Sequence, residues 1–424
     1  MTEFKQSFYN INVFEQGYTD NPAYKDLYYN VMSGKFAHIK DDQPLDIEEL
    51  IEKRMVVKED IDEPLSYKRQ QEKAIIDDFP KHISLVIAIT MKCNYQCAYC
   101  FEGCHKYGKD MDGEVLEDTI NYIKQEIDRN PNLQSLSIQF FGGEPLFAGG
   151  LDALRRISGF VIPYCEQKNI KYFANITTNG YFLTKEISAE LKALKVQKAM
   201  IALDGFEDNY ANIRQVSKES FKRVLQNIED SVIKVYVRLN VTKENQEEIK
   251  QLIEYLYTLQ SVKEKRTTFV IYRVEVFDKD STCNFTDKEW LKFRECLENF
   301  QHLENPQSLF AIPKAKGVGC GMLKKHNVCL CADGNIYRCD RQIGDNTKAI
   351  GTIKNGIDVT TETDRLFRCS VIDTTCLNCK FLPICGGDNC RYKYLYKGKS
   401  CNLIKGRFKQ QMTNYLKYVY KDNI

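Results

Sequence analysis

From residue 83 onward, short apolar runs alternate with stretches in which apolar residues recur every three or four positions. "ISLVIAIT" (83–90) is apolar almost throughout and predicts a buried strand. After it, Leu116, Ile120, Ile123 and Ile127 fall on one face of a helix. The alternation then repeats. "SLSIQFF" precedes a helix carrying Leu151, Leu154 and Ile157, and "KYFANITT" precedes one carrying Ile187, Leu191 and Leu194. "KAMIAL" precedes Phe221, Val224, Leu225 and Ile228, and "KVYVRLNV" precedes Ile249, Leu252, Ile253 and Leu256. "TTFVIYRVEVF" closes the series. Six β/α units in a row predict an α/β fold, a parallel sheet covered by helices. A curled, incomplete barrel and an open doubly wound sheet both fit. In either, chemistry belongs at the C-terminal ends of the strands.

The flanks follow other patterns. "LYYNVMSGKFAHI" predicts two short strands around a Ser-Gly turn, and "LDIEELIEK" a short amphipathic helix. "VKEDIDEPLSYKRQQEK" reads as a linker or a solvated helix, and together these segments make a small α+β module. Farther on, Thr286 and Glu289 form a capping box for a helix that buries Trp290, Phe293, Leu297 and Phe300. Few periodic elements follow until a final helix near 403–420. The expected divisions are 1–78, 79–280, a connecting helix in 281–315, and 316–424.

Composition narrows the function classes. At 424 residues, two or three domains are expected. A formal net charge of +2 gives no footprint for nucleic acid or a membrane surface. The start, "MTEFKQSFYN", has no basic segment followed by an apolar one, and "ISLVIAI" is far too short to span a bilayer. The expected location is cytoplasmic. Seventeen cysteines in a reducing compartment point to metal binding rather than disulfides. They are unevenly placed: none before residue 93, three in 93–100 and ten from Cys320 to Cys401.

The first group lies in "MKCNYQCAYCFEG" (91–103), directly after the first strand of the β/α series. A structural zinc takes four closed ligands, and the loop supplies three, with Cys104 or His105 as a possible fourth. Three thiolates in one turn also suit a 4Fe–4S cube, which they would leave with one free iron. The arrangement C-x3-C-x-aromatic-C after a first strand resembles the radical S-adenosylmethionine (SAM) superfamily. That resemblance implies a partial (β/α)6 TIM-like barrel in which Cys93, Cys97 and Cys100 ligate a cluster whose free iron binds SAM. It further implies reductive cleavage to a 5′-deoxyadenosyl radical that abstracts hydrogen from a substrate, with Tyr99 near the adenine.

"FFGGEPLF" (140–147) lies where that family has its GGE motif. By the resemblance, Gly142 and Gly143 allow close backbone approach, and Glu144 accepts from the SAM ammonium. Asn179 in "TTNG", the Asp204–Gly205 pair and Asn240 at the end of the fifth strand match weaker positions, where a plain turn residue is the alternative.

The second group contains "CGMLKKHNVCLCADGNIYRC" and "CLNCKFLPICGGDNC", followed by Cys401. A zinc ribbon shares part of this spacing. The whole pattern resembles the SPASM domain, a cysteine-rich C-terminal extension that holds two auxiliary 4Fe–4S clusters. It departs from the family spacing in placing four residues, rather than three, between Cys385 and Cys390. The resemblance assigns Cys376, Cys379, Cys385 and Cys401 to one cluster and Cys320, Cys339 and Cys390 to the other. Cys329, Cys331 and Cys369 are spare candidates for its fourth position, which could also stay open to a substrate thiolate. Cys165, Cys283 and Cys296 are expected to be small core residues.

Three 4Fe–4S clusters and SAM are thus the implied cofactors, with a flavodoxin or ferredoxin as electron donor. The implied activity is maturation of a ribosomally made precursor peptide through a thioether crosslink. A carbon–carbon crosslink and the formylglycine chemistry of anaerobic sulfatase-maturing enzymes are the alternatives, and a non-catalytic iron–sulfur carrier is a third class. Residues 1–78 would be a winged-helix-like module that binds the leader of the precursor.

Overall fold

The computed structural model describes residues 3–40, 46–102, 108–147, 149–274, 285–297, 312–387 and 390–420. Cys104, His105, Cys283 and Phe300 lie outside the described residues. The chain forms two compact units, Met1–Ile76 with Thr286–Leu323 and Cys369–Ile424, and Asp77–Phe285 with Lys324–Arg368.

The first unit begins with β1 (Phe4–Gln6), β2 (Asn10–Asn12), β3 (Leu27–Asn30), β4 (Lys35–His38) and β5 (Val56–Lys58). β2, β3 and β4 form an antiparallel sheet, and β1 pairs with β5. α1 (Ile47–Glu52) is capped by the Asp46 side chain, which accepts from Glu49 N. α2 (Glu63–Ile76) runs through the charged stretch that the sequence left as linker or solvated helix. It is a packed helix: Tyr67, Gln71 and Ile75, four residues apart, are buried.

The second unit holds the β/α series. Its strands are β6 (His82–Thr90), β7 (Ser135–Gly142), β8 (Lys171–Thr178), β9 (Val196–Leu203), β10 (Lys234–Val241) and β11 (Thr267–Arg273). All five neighbouring pairs are parallel and follow chain order without reversal. A doubly wound sheet reverses its order part-way, so this one is singly wound, as a partial barrel is. The sheet is longer than the periodicity indicated. β12 (Cys329–Cys331) adds in parallel to the other edge of β6, and β13 (Asn335–Tyr337), β14 (Gly351–Thr352) and β15 (Gly356–Ile357) continue it antiparallel.

The helices of the second unit are α3 (Gly113–Asp128), α4 (Gly150–Gln167), α5 (Lys185–Ala193), α6 (Glu207–Arg214), α7 (Lys218–Asp230), α8 (Gln246–Thr258) and α9 (Gln260–Lys263). The apolar stripes of α7 and α8 are buried at every predicted position. Cys165 on α4 is a fully buried core residue. α6 was absent from the periodic reading.

Back in the first unit, α10 (Asp287–Cys296) has the expected capping box and buries Trp290 and Phe293, with Leu297 also buried beyond its end. Cys296 is exposed, contrary to expectation. It sits off the stripe formed by Trp290, Phe293 and Leu297. After α11 (Glu362–Arg368) of the second unit come α12 (Thr374–Leu377), α13 (Leu382–Cys385), α14 (Arg391–Lys397) and α15 (Cys401–Tyr420). One core joins both ends of the chain here: Tyr9, Ile11, Tyr18, Leu27 and Tyr29 pack with Ile372, Leu382, Phe408 and Met412. Polar contacts reinforce it, from Lys380 Nζ to Asn10 O at 2.6 Å and from Gln71 Nε2 to Gly386 O at 2.8 Å. No helix among the described residues is long and apolar enough to cross a membrane.

Candidate active site

Cys93, Cys97 and Cys100, none of them in a disulfide, lie on the loop that leaves the C-terminal end of β6. The end of β7 holds the start of this loop. Glu144 N donates to Lys92 O at 2.8 Å. Gly142 adopts φ +101°, and a Cβ there would lie 2.3 Å from Thr90 O. A Cβ on Gly143 would lie 2.1 Å from Lys92 O. Both glycines are therefore required by the approach of two backbones, whatever else they contact. Lys92 is in turn paired with Asp110 at 2.7 Å.

The middle of the loop is tied to α6. Gln96 N donates to Arg214 O and Ala98 N to Ile213 O, carbonyls that the last turn of a helix leaves free. The Tyr99 hydroxyl donates to Asp204 Oδ1 at 2.8 Å and accepts from Arg214 at 3.2 Å and Asn240 Nδ2 at 3.0 Å. Burial holds the Tyr99 phenol protonated, well above its ordinary range. Burial also opposes the charge on Arg214, yet Asp204, Tyr99 and Tyr210 beside it keep the guanidinium charged. Its cation lies 4.8 Å over the Tyr210 ring. Burial raises the Cys97 thiol, and Arg214 opposes that rise. Arg214 is the loop-holding residue that the sequence reading missed. Its only local signal is Tyr210 four residues earlier, while Asp204 comes from a different element.

Glu144 is fully buried. Its Oε1 accepts from Thr178 Oγ1 at 2.6 Å and Leu146 N at 3.0 Å, and its Oε2 from Asn179 N at 2.6 Å. Burial raises its pKa, and these donors oppose the rise. Asn179 also reaches the cysteine loop, donating to Asn94 Oδ1 at 2.8 Å. The Asn240 amide is occupied by protein: it donates to Tyr99 and Asp204 and accepts from Arg238 Nε. Burial, with Glu144 adding to it, pushes the Cys93 thiol up to about 12. Tyr95 N donates to Cys93 Sγ at 3.4 Å. Three cysteines on one loop, with a backbone donor on one sulfur and a buried carboxylate nearby, fit a three-thiolate cluster site.

The second group of cysteines divides between the units. Cys376, Cys379, Cys385 and Cys401 all lie in the first. Burial raises the Cys385 thiol to about 11, and the charges of Cys379, Cys376 and Cys401 all bear on it. Gly387 N donates to Cys385 Sγ at 3.4 Å, and Lys399 Nζ lies 3.0 Å from Cys376 Sγ. This set fits one four-thiolate cluster. Cys320 and Cys390 also belong to the first unit, and Cys339 to the second. Cys329 pairs across the ladder with Tyr337 and bears on the Cys339 thiol, which burial raises. Cys331 packs against Met91 Sδ at 3.6 Å, and Cys369 is exposed. Among the described residues, no three His, Cys, Asp or Glu side chains gather tightly enough for a single metal ion.

The family described as the Radical SAM superfamily matches residues 87–256, the stretch that holds the cysteine loop, Glu144 and Arg214. The chain carries a radical SAM domain. Radical SAM cyclopropyl synthase TigE of Paramaledivibacter caminithermalis is 30% identical over 202 residues, covering 43% of this chain and 42% of its own. A GTP 3′,8-cyclase of Aliarcobacter butzleri is 27% identical over 169 residues, covering 39% and 48%. The chain thus spans less than half the length of these curated relatives. Among solved structures, native anSMEcpe with bound AdoMet superposes with a TM-score of 0.59 at 18% identity, covering 80% of this chain and 97% of that one. Streptococcus suis SuiB bound to S-adenosylmethionine gives 0.52 at 18% identity, covering 88% and 94%. At such identities the likeness is one of fold.

Proposed function

We propose that the protein is a radical SAM peptide maturase that forms a thioether crosslink in a ribosomally made precursor. The observation that carries this reading is the placement of Cys93, Cys97 and Cys100 at the end of β6, beside Glu144 at the end of β7. Cys93, Cys97 and Cys100 would hold a 4Fe–4S cluster, and Glu144, through the lone pair its Oε2 has left, would hold the ammonium of SAM. When bound, the cluster and SAM supply a 5′-deoxyadenosyl radical. Tyr99, fixed by Asp204, Arg214 and Asn240, would give the adenine an ordered ring to lie against. Arg214 and Asp204 bind nothing themselves but hold the loop.

Two further clusters would sit in the cysteine-rich SPASM region, the first on Cys376, Cys379, Cys385 and Cys401. The second rests on the resemblance alone, which assigns it Cys320, Cys339 and Cys390, three thiols for four irons, and leaves a position for the thiolate of a substrate cysteine. Cys329, Cys331 and Cys369 are the competing occupants. A flavodoxin or ferredoxin would deliver the electrons.

A peptide substrate is supported by two solved structures of similar fold, Streptococcus suis SuiB with precursor peptide SuiA and anSMEcpe with Cp18Cys peptide. The sheet β2–β4 with α1 and α2 is the candidate leader-binding module. A groove of about 560 Å³ beside it, lined by Lys5, Phe8, Ile61, Glu63 and Leu377, offers a peptide a place to lie.

Anaerobically reconstituted protein with SAM and dithionite should release 5′-deoxyadenosine. Co-expression with a short cysteine-containing peptide encoded beside it should yield a product lighter by two hydrogens per crosslink. Absence of 5′-deoxyadenosine would exclude the radical reading, and formylglycine in place of a crosslink would exclude the thioether.

A further inference from the structure

One step out from the residues that hold the cysteine loop, β10 carries Arg238, a cation with no carboxylate partner among the described residues. Along β10, Val235, Val237 and Leu239 are buried, and Tyr236, Arg238 and Asn240 alternate with them on the opposite face. That face bears the Tyr99 network, since Asn240 donates to the Tyr99 hydroxyl. Arg238 donates through Nε to Asn240 Oδ1 at 2.9 Å, and its guanidinium lies 4.5 Å over the ring of Tyr272. Among the described residues no carboxylate pairs with it. The nearby Asp204 is matched by Arg214.

A guanidinium has five N–H donors in a planar fork, and Nε uses one. With one face on Tyr272, the remaining fork is held in a fixed plane, the arrangement that takes a carboxylate bidentately. Arg238 is half-buried and Tyr272 is 43% exposed, so a ligand can reach the fork.

We infer that Arg238, steadied by Asn240 and Tyr272, is a subsite for a substrate carboxylate, either an acidic side chain or a free peptide C-terminus. The inference rests on the peptide-maturase reading. The carboxylate of SAM is a poor occupant. It shares a carbon with the ammonium, which that reading places at Glu144 on β7. Three strand spacings separate β7 from β10, about 14 Å at about 4.8 Å each, and Arg238 leans the other way, onto β11. The subsite therefore selects substrates with an anionic group near the reacting carbon.

The test uses reconstituted full-length protein saturated with SAM and three probes followed by ligand-observed NMR: Ac-Gly-Glu-Gly-amide, Ac-Gly-Gln-Gly-amide and Ac-Gly-Gly-Gly with a free carboxylate. The wild type should bind at least one acidic probe about tenfold more tightly than the glutamine probe. Which acidic probe wins identifies the source. Arg238→Gln should remove the preference, and Arg238→Lys, which keeps the charge but not the fork, should keep only part of it. SAM affinity, measured in the same variants, should hold while the probe preference is lost. Equal binding of all probes by the wild type overturns the subsite, as does a preference that survives Arg238→Gln. Loss of SAM affinity in Arg238→Gln also overturns it, because the arginine would then serve the cofactor. Release of 5′-deoxyadenosine by the wild type is scored separately, so failure of the radical reading is distinguishable from failure of the subsite.

Discussion

Arg214 donates through Nε to Asp204 Oδ2 at 2.7 Å, with both side chains almost wholly out of water. The pair joins the end of α6 to the loop after β9, and through Tyr99 and the Arg214 carbonyl it fixes the cysteine loop. Removing one partner leaves an uncompensated buried charge. Arg214→Gln or Asp204→Asn should each cost about 3–5 kcal/mol in denaturant unfolding of the apoprotein. The double variant should lose less than the two single losses combined. Additive losses would mean that the two residues act separately.

The cysteine loop and the C-terminal cysteines should load iron independently. Replacing Cys93, Cys97 and Cys100 together with Ala should lower iron from roughly twelve to roughly eight per chain, and abolish 5′-deoxyadenosine formation. Iron near four per chain in the wild type would remove the auxiliary clusters.

Glu144→Gln should weaken SAM binding by about 1–3 kcal/mol, the worth of a charge-assisted hydrogen bond. Burial raises the Glu144 pKa, and only the carboxylate form attracts an ammonium. SAM affinity in the wild type should therefore fall with acidification, starting above the ordinary glutamate range, and the fall should be absent in Glu144→Gln. Equilibrium dialysis across pH measures both. Identical affinities at neutral pH would leave Glu144 a purely structural carboxylate.

Lys399 Nζ lies 3.0 Å from Cys376 Sγ and 2.6 Å from Asp373. Hydrogen bonds and positive charge beside cluster sulfurs raise the reduction potential. Lys399→Met should lower the midpoint potential of one auxiliary cluster in an EPR-monitored redox titration, and Lys399→Arg should restore most of it. An unchanged midpoint would separate Lys399 from the cluster.

Phe408 is fully buried, with Tyr18, Tyr29 and Phe381 ring centroids within 5.8 Å. Phe408→Ala should cost about 3–5 kcal/mol and release auxiliary iron, because the same core carries Cys376. Retention of both stability and iron would show that the core does not support the cluster. The shared core also means that deleting residues 1–76 would strip apolar cover from the cysteine-rich segment, so point substitutions are the cleaner test of leader binding.

Much of the β/α series was legible along the chain. β8 and β10 coincide with "KYFANITT" and "KVYVRLNV", and β6 differs by one residue. Alternation and helical stripes are local properties, imposed wherever a strand or helix buries one face. The three-cysteine loop and "GGE" were legible for the same reason, since their meaning lies in short spacings.

Other features depend on residues far apart in the chain. β12 is three residues long, too short to show a period, and only its parallel pairing with β6, which sets Cys331 opposite Ala88, makes it part of the sheet. α2 looked solvated because its charged positions outnumber its buried face of Tyr67, Gln71 and Ile75. The sequence could state which thiols are available and on which strand ends they fall. Which charge compensates Asp204, which core carries Cys376 and which neighbours hold Arg238 were settled by tertiary packing. Buried charge and apolar area are paid for by whatever neighbour the fold supplies, and that neighbour need not be near in sequence.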